Sequence, residues 1–199
     1  MSVRFDDAFI RTIKKALIRE MKKSRYRHTK GVLHSAVHLA GLNGADPCKT
    51  AIAALFHDYA KDYDRDKLFR LAHQYQLALD PIHLHAHQLV HGKVAAAIAR
   101  HEFKINDQEI LCAIEFHTTG RQGMGLIEKI IYLSDFIEPT RDYPGVSRLR
   151  SLAERDLDKA VLQALNNTMI YVLKTGKLLH PNTLEARNQL LFVNKRCSK

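Results

Sequence analysis

Apolar residues recur along this chain at three- and four-residue intervals, and the two-residue alternation of a half-buried strand is hard to find. That periodicity confines the chain to helices packed on one another. Residues near 6–22 read as a basic amphipathic helix, with Phe9, Ile13, Ala16, Leu17 and Met21 on one side. A second helix runs from about Ser24 to Leu42 and stops at Gly44. Asp46-Pro47 predicts an N-cap followed by proline in the first turn, opening the apolar helix CKTAIAALFHDYAK. Asp64 starts the next helix, and Asp80 to Leu89, with a proline and three histidines, reads as a loop. A helix of small residues spans His91 to about His101. Asn106 with Glu109 resembles a capping box for a helix ending at His117. Leu126 to Glu138 is helical until Pro139, Thr140 to Gly145 is a loop, and helices follow over 147–154 and 156–175, closed by Gly176. The fold class is therefore all-α, a single domain over residues 1–193, with 194–199 a flexible tail.

The 199 residues suit one buried core, and 46% hydrophobic with 26% charged residues is ordinary for a globular protein. No apolar run is long enough to cross a bilayer. The charged N-terminus lacks the apolar stretch of a signal peptide, so a cytoplasmic location is expected, with no membrane partner. Cys48, Cys112 and Cys197 show no clustered spacing, which argues against redox or zinc roles; Cys112 reads as a core thiol. The net charge of +10 invites a polyanion. Nucleic acid, a phosphate-rich small molecule and a merely solvated basic surface all fit that charge, and Lys14, Lys15, Lys22 and Lys23 read as such a surface.

Chemistry points to five places near helix ends: His28, His57-Asp58, His91, His117 and Asp135. Neutral imidazoles and carboxylates converging from separate helices can enclose a metal ion in a helical bundle. Taken singly, a histidine at the end of an apolar helix is more often a core or terminal residue than a ligand. Asp135, inside KIIYLSDFIEP, is harder to dismiss, because a carboxylate in so apolar a helix needs a partner. His57-Asp58, at the end of the most apolar helix, poses the same problem. Arg25 lies one helical turn before His28, on the same face. His34, His38, His73, His83, His85, His87 and His101 read as surface or incidental, and the HxHxH spacing at 83–87 is weak evidence for metal.

The segments RYRHTKGV, AALFHDYAKD, LVHGKVAA, IEFHTTGRQGMGLIEKIIYLSDFIEPTRDYPGV and NNTMIYVL…PNT together resemble the bacterial YqeK family of HD-domain proteins, from about residue 8 to 190. The resemblance implies an HD-type helical bundle and a symmetrical bis(5'-nucleosyl)-tetraphosphatase that splits diadenosine tetraphosphate, a dinucleoside polyphosphate, into two ADP. It implies a divalent metal, iron first and manganese or another transition metal as alternatives, held by His28, His57, Asp58 and Asp135. His91 and His117 then face the phosphates or support a second metal, and join His57 and Asp58 in catalysis. Arg25, Lys61, Thr118 and Arg141 fall near the nucleotide, and the stretch holding Leu179, His180 and Thr183 lines the nucleoside end. The chain differs in Val90, where a bulkier residue often precedes the histidine, and in Gly92-Lys93, where a more apolar pair is common. A homodimer is a further implication. Rival readings are another HD-type hydrolase acting on dNTPs, nucleoside monophosphates or alarmones, an RNA-binding helical domain, and a purely structural one. The intact ligand set disfavours nucleic acid as the partner.

Overall fold

The computed structural model describes residues 7–196, with side chains over 8–192. Among these residues there are helices and no strands. They are α1 (Asp7–Glu20), α2 (Lys23–Asn43), α3 (Pro47–Phe56), α4 (Arg65–Gln74), α5 (Pro81–His85), α6 (Val90–His101), α7 (Gln108–Glu115), α8 (Leu126–Ile137), α9 (Val146–Ala153), α10 (Leu157–Lys174) and α11 (Pro181–Arg196). No helix among them is long and apolar enough to cross a membrane.

Local chemistry sets most boundaries. Gly44 ends α2 in the left-handed region at φ 71°, where its N–H reaches Ala40 O. The Asp46 carboxylate accepts from the N–H groups of Cys48 and Lys49, and Pro47 fills the first helical position. Asp64, Asp80, Asp107 and Asp156 cap α4, α5, α7 and α10 in the same way.

Five expectations change. The loop expected over Asp80 to Leu89 holds the short helix α5, because Asp80 and Pro81 are themselves a start signal, followed by a 3-10 turn over His87–Leu89. Asp107 caps α7 rather than Asn106, whose amide instead donates to Lys104 O. The third helix stops at Phe56: beyond it the chain tightens into three-residue turns, with Tyr59 N bonded to Phe56 O and Lys61 N to Asp58 O. Helix α11 was not anticipated, and its backbone continues to Arg196; residues 197–199 of the expected tail, Cys197 included, lie outside the described residues. Cys112 is half-buried rather than a core thiol, with Gln108 Nε2 at 3.1 Å from its sulfur.

The core forms around α3. Ile52, Ala53, Ala54, Leu55 and Phe56 are at most 1% exposed, so the C-terminal half of α3 is covered on every side. Helices α1, α2, α6, α7 and α8 pack against it, while α9 and α10 pack over α8 and α11 packs on α10. Burial of this half of α3 delivers His57 and Asp58 into the protein interior at its end. Helices α6 and α7 cross closely at Gly92, where a Cβ would stand 2.6 Å from Glu115 O and 3.2 Å from Ile114 O. Those neighbours are backbone and cannot swing aside, so this crossing holds His91 and His117 together. Gly92→Ala is expected to lower stability by about 1–3 kcal/mol through overpacking. Urea unfolding at constant m-value would measure the loss.

Candidate metal centre

Asp58 is 2% exposed, and both of its carboxylate oxygens are engaged. Oδ2 accepts from Arg25 Nη1 at 2.6 Å and lies 3.6 Å from His57 Nε2 and 3.7 Å from His28 Nε2. Oδ1 lies 3.2 Å from His91 Nε2 and 3.5 Å from His117 Nε2. Across from it, Asp135 Oδ1 lies 3.0 Å from His28 Nε2 and 2.5 Å from Arg141 Nη2. The expected partners of Asp135 are therefore a histidine and an arginine. The donor atoms of His28, His57 and Asp58 fall within 4.8 Å of one another, as do those of Asp58, His91 and His117. Asp58 is common to both sets.

The imidazole tautomers follow from the other ring nitrogen. His57 Nδ1 donates to Ala54 O at 2.7 Å, His91 Nδ1 to Gln88 O at 2.5 Å, and His117 Nδ1 to Ile114 O at 2.8 Å. A carbonyl can only accept, so each neutral ring carries its proton on Nδ1 and turns the Nε2 lone pair inward. The Nε2 atoms of His91 and His117 then face each other at 3.0 Å, an arrangement that a cation relieves. His57 Nε2 and His28 Nε2 are buried without a hydrogen-bond partner. Orphaned inward lone pairs beside a buried carboxylate are the donor set of a divalent metal, and they fit such an ion.

Electrostatics agree. Burial lowers His57 to about 4 and His91 to about 3, so both rings are neutral donors at neutral pH. Burial pushes the Asp58 carboxyl upward, but the adjacent histidines outweigh it and hold the group well below its usual range. Asp135 is lowered likewise, with His28 outweighing burial. His28 differs: burial lowers it, yet the Asp135 and Glu138 carboxylates win and raise it above 6.5.

Sequence reasoning missed Glu138. It is 1% exposed and accepts from His28 Nδ1 at 3.1 Å, from Thr140 N at 2.8 Å and from Thr140 Oγ1 at 2.5 Å. Its signal was a carboxylate three residues after Asp135, just before a proline. Gly31 on α2 leaves room for it, since a Cβ there would collide with the Glu138 carboxylate.

Of the remaining expected residues, Lys61 and Thr118 contact this centre, whereas Leu179, His180 and Thr183 have no hydrogen bond or ion pair with its ligands. Lys61 Nζ lies 3.4 Å from His91 Nε2, and Thr118 Oγ1 lies 3.1 Å from His117 Nε2. A cleft of about 520 Å³ is lined by Arg25, His28, Glu138, Thr140, Arg141 and Tyr143. A smaller cavity of about 110 Å³ includes Thr118, His180 and Asn182. Leu179 is half-buried and Thr183 is buried, and Thr183 N bonds to His180 O at the start of α11. Lys93 forms a 2.8 Å ion pair with Glu115, which accounts for its place after Gly92. His83, read as incidental, is 5% exposed and contacts Asp80 and His180.

The model of the HD domain matches residues 25–186. The chain belongs to the HD domain family. Within that family, a protein of Halalkalibacterium halodurans is 43% identical over 88% of this chain and 93% of its own, and one of Bacillus subtilis is 41% identical over 86% and 92%. Both are named "Bis(5'-nucleosyl)-tetraphosphatase, symmetrical". A crystal structure from Clostridium acetobutylicum, described as a "predicted HD superfamily hydrolase involved in NAD metabolism", matches with a TM-score of 0.88 at 41% identity, covering 92% of this chain and 96% of its own. The HD fold and its divalent-metal chemistry thus coincide with the His and Asp clusters of this chain.

Two outcomes follow. Glu138 fixes the ring of His28, so Glu138→Gln should weaken metal affinity about tenfold and Glu138→Ala about 100-fold, read by calorimetric titration with manganese. His28 must shed a proton before its Nε2 can bind an ion, and its raised pKa puts that loss above 6.5. Affinity should therefore rise with pH through that region, with about one proton released per ion. Calorimetry in buffers of different ionisation enthalpy would count the proton, and no release would refute the assignment.

Proposed function

We propose that this chain is a metal-dependent symmetrical dinucleoside tetraphosphatase that converts diadenosine tetraphosphate into two ADP. The observation that carries this reading is the convergence of inward Nε2 lone pairs from His28, His57, His91 and His117 on the two oxygens of Asp58. The names of the relatives at 41–43% identity support the substrate. His28, His57, Asp58 and Asp135 hold one ion, iron in this reading. Asp58, His91 and His117 form a second set, for which the 3.0 Å approach of the two imidazoles argues. Divalent ions here would acidify water for attack and polarise the attacked phosphoryl group.

The chain's own residues bind and orient the polyphosphate. Arg25, Lys61 and Arg141 neutralise its oxygens, the arginines through planar forks that match phosphate. The cleft that Arg25 and Arg141 line admits the polyphosphate beside His28. Thr118 offers a hydroxyl next to His117, and His180, with Leu179 and Thr183 behind it, serves the nucleoside end. Symmetrical cleavage places attack at the second phosphate from one end. The P–O bond to the bridging oxygen breaks and ADP leaves, a stable anion that needs little help from a general acid.

Product identification tests this directly: two ADP are expected, and AMP plus ATP would overturn symmetrical cleavage. Asp58→Ala should lose metal and nearly all activity together. Arg141→Ala should lower kcat/KM by about 10- to 100-fold while metal content, measured by mass spectrometry, stays unchanged.

A further inference from the structure

Among the described residues, three imidazole nitrogens are buried without a hydrogen-bond partner: His28 Nε2, His57 Nε2 and His83 Nδ1. The first two face the metal centre. The third lies elsewhere, yet repeats the same geometry. His28 Nε2 stands 3.0 Å from an Asp135 oxygen and His83 Nδ1 stands 2.8 Å from Asp80 Oδ1, and neither nitrogen has a hydrogen-bond partner. A cation held between such a ring nitrogen and carboxylate would engage both. A second imidazole completes the group: His180 Nε2 lies 2.9 Å from Asp80 Oδ2, and the two rings meet edge to face at 5.0 Å.

We propose that Asp80, His83 and His180 form a divalent-metal site of zinc-like preference, separate from the two ligand sets that share Asp58. Their donor atoms lie within 4.8 Å of one another, and the His83 and His180 side chains are each only 7% exposed. Two imidazoles and one carboxylate are a donor set for zinc or a neighbouring transition metal. Burial lowers His83 below 6.5, and Asp80, although burial opposes it, is held at about 2 by its contacts with His83. The cluster therefore offers one negative charge and a neutral donor at neutral pH. In the ion-free state, Asn182 N donates to His180 Nδ1 at 3.2 Å, which leaves the His180 proton on Nε2, toward Asp80. Coordination through Nε2 moves that proton to Nδ1 and gives up the long bond from Asn182, with no net proton release from this ring. Three protein ligands leave a coordination position for water in the 110 Å³ cavity that they line with Lys93 and Thr118. The ion would join the start of α5 to the link before α11, the segment that carries His180 past Thr118.

The test uses the full chain carrying its resident metal, titrated with zinc at neutral pH. Wild type should bind one equivalent more than His83→Gln and His83→Leu, whereas His57→Ala should keep that equivalent. Equal zinc stoichiometry in wild type and both His83 variants would overturn the proposal, and so would loss of the equivalent in His57→Ala. Anomalous scattering at the zinc edge from wild-type crystals decides independently of any variant. A peak about 2.0–2.1 Å from His83 Nδ1 is expected, and the absence of density there refutes the site. Failure of the diadenosine tetraphosphatase reading would leave these outcomes untouched, because none of them reads hydrolysis.

Discussion

The structure depends on one buried charge. Asp58 is almost wholly removed from water, and an ionised carboxylate in that position is tolerated only when other groups replace its hydration. Arg25 does so on one oxygen, and two imidazoles crowd the other. Four helices are oriented by this requirement. Helix α2 brings Arg25 and His28, α3 presents Asp58 from its end, and α6 and α7 supply His91 and the turn carrying His117. Removing the charge would relieve desolvation, but it would leave inward lone pairs with nothing to face. The cost of burying Asp58 is thus inseparable from the reason the pocket exists.

A repeated local device prepares the ligands. His57, His91 and His117 each bond through Nδ1 to the carbonyl three residues earlier. Such a bond forms only near a helix end, where ring and carbonyl meet on one turn. It fixes ring rotation and tautomer together, so that the donors are preorganised before any ion arrives. The same economy of space explains two glycines. Gly31 admits Glu138 behind His28, and Gly92 admits the α7 backbone beside His91. Each allows a close approach that any side chain would prevent.

Much of this was legible in the sequence. The 3.6-residue period gave the helical class, and Asp46-Pro47, Asp64, Gly44 and Gly176 gave boundaries, since caps are local chemistry, whereas Asp80-Pro81 falls in the expected loop and starts a helix. Asp58 and Asp135 could be picked out because a carboxylate amid apolar residues demands a partner, and His28, His91 and His117 through their places near helix ends and the order in which they follow one another. What stayed hidden was long-range. In the sequence Glu138 is only the last residue of an expected helix, and only the fold shows His28 of α2 reaching it. His83 looked incidental because its partner His180 lies far along the chain, at the start of a helix that the sequence reading did not anticipate. Asp107 prevailed over Asn106 by a one-residue shift, within the ordinary ambiguity of adjacent capping residues.

The two arginines at the centre carry a thermodynamic consequence. Arg25 is paired with Asp58 and Arg141 with Asp135, so guanidinium groups occupy carboxylates that also belong to the ligand set. A polyanion that draws the arginines toward itself strips positive charge from those carboxylates and deepens their attraction for a cation. Reciprocity requires the converse: a cation on Asp58 and Asp135 releases the arginines toward the polyanion by the same free energy. In the proposed function, ion and polyanion would therefore be cooperative ligands of this pocket, exchanging partners through two aspartates.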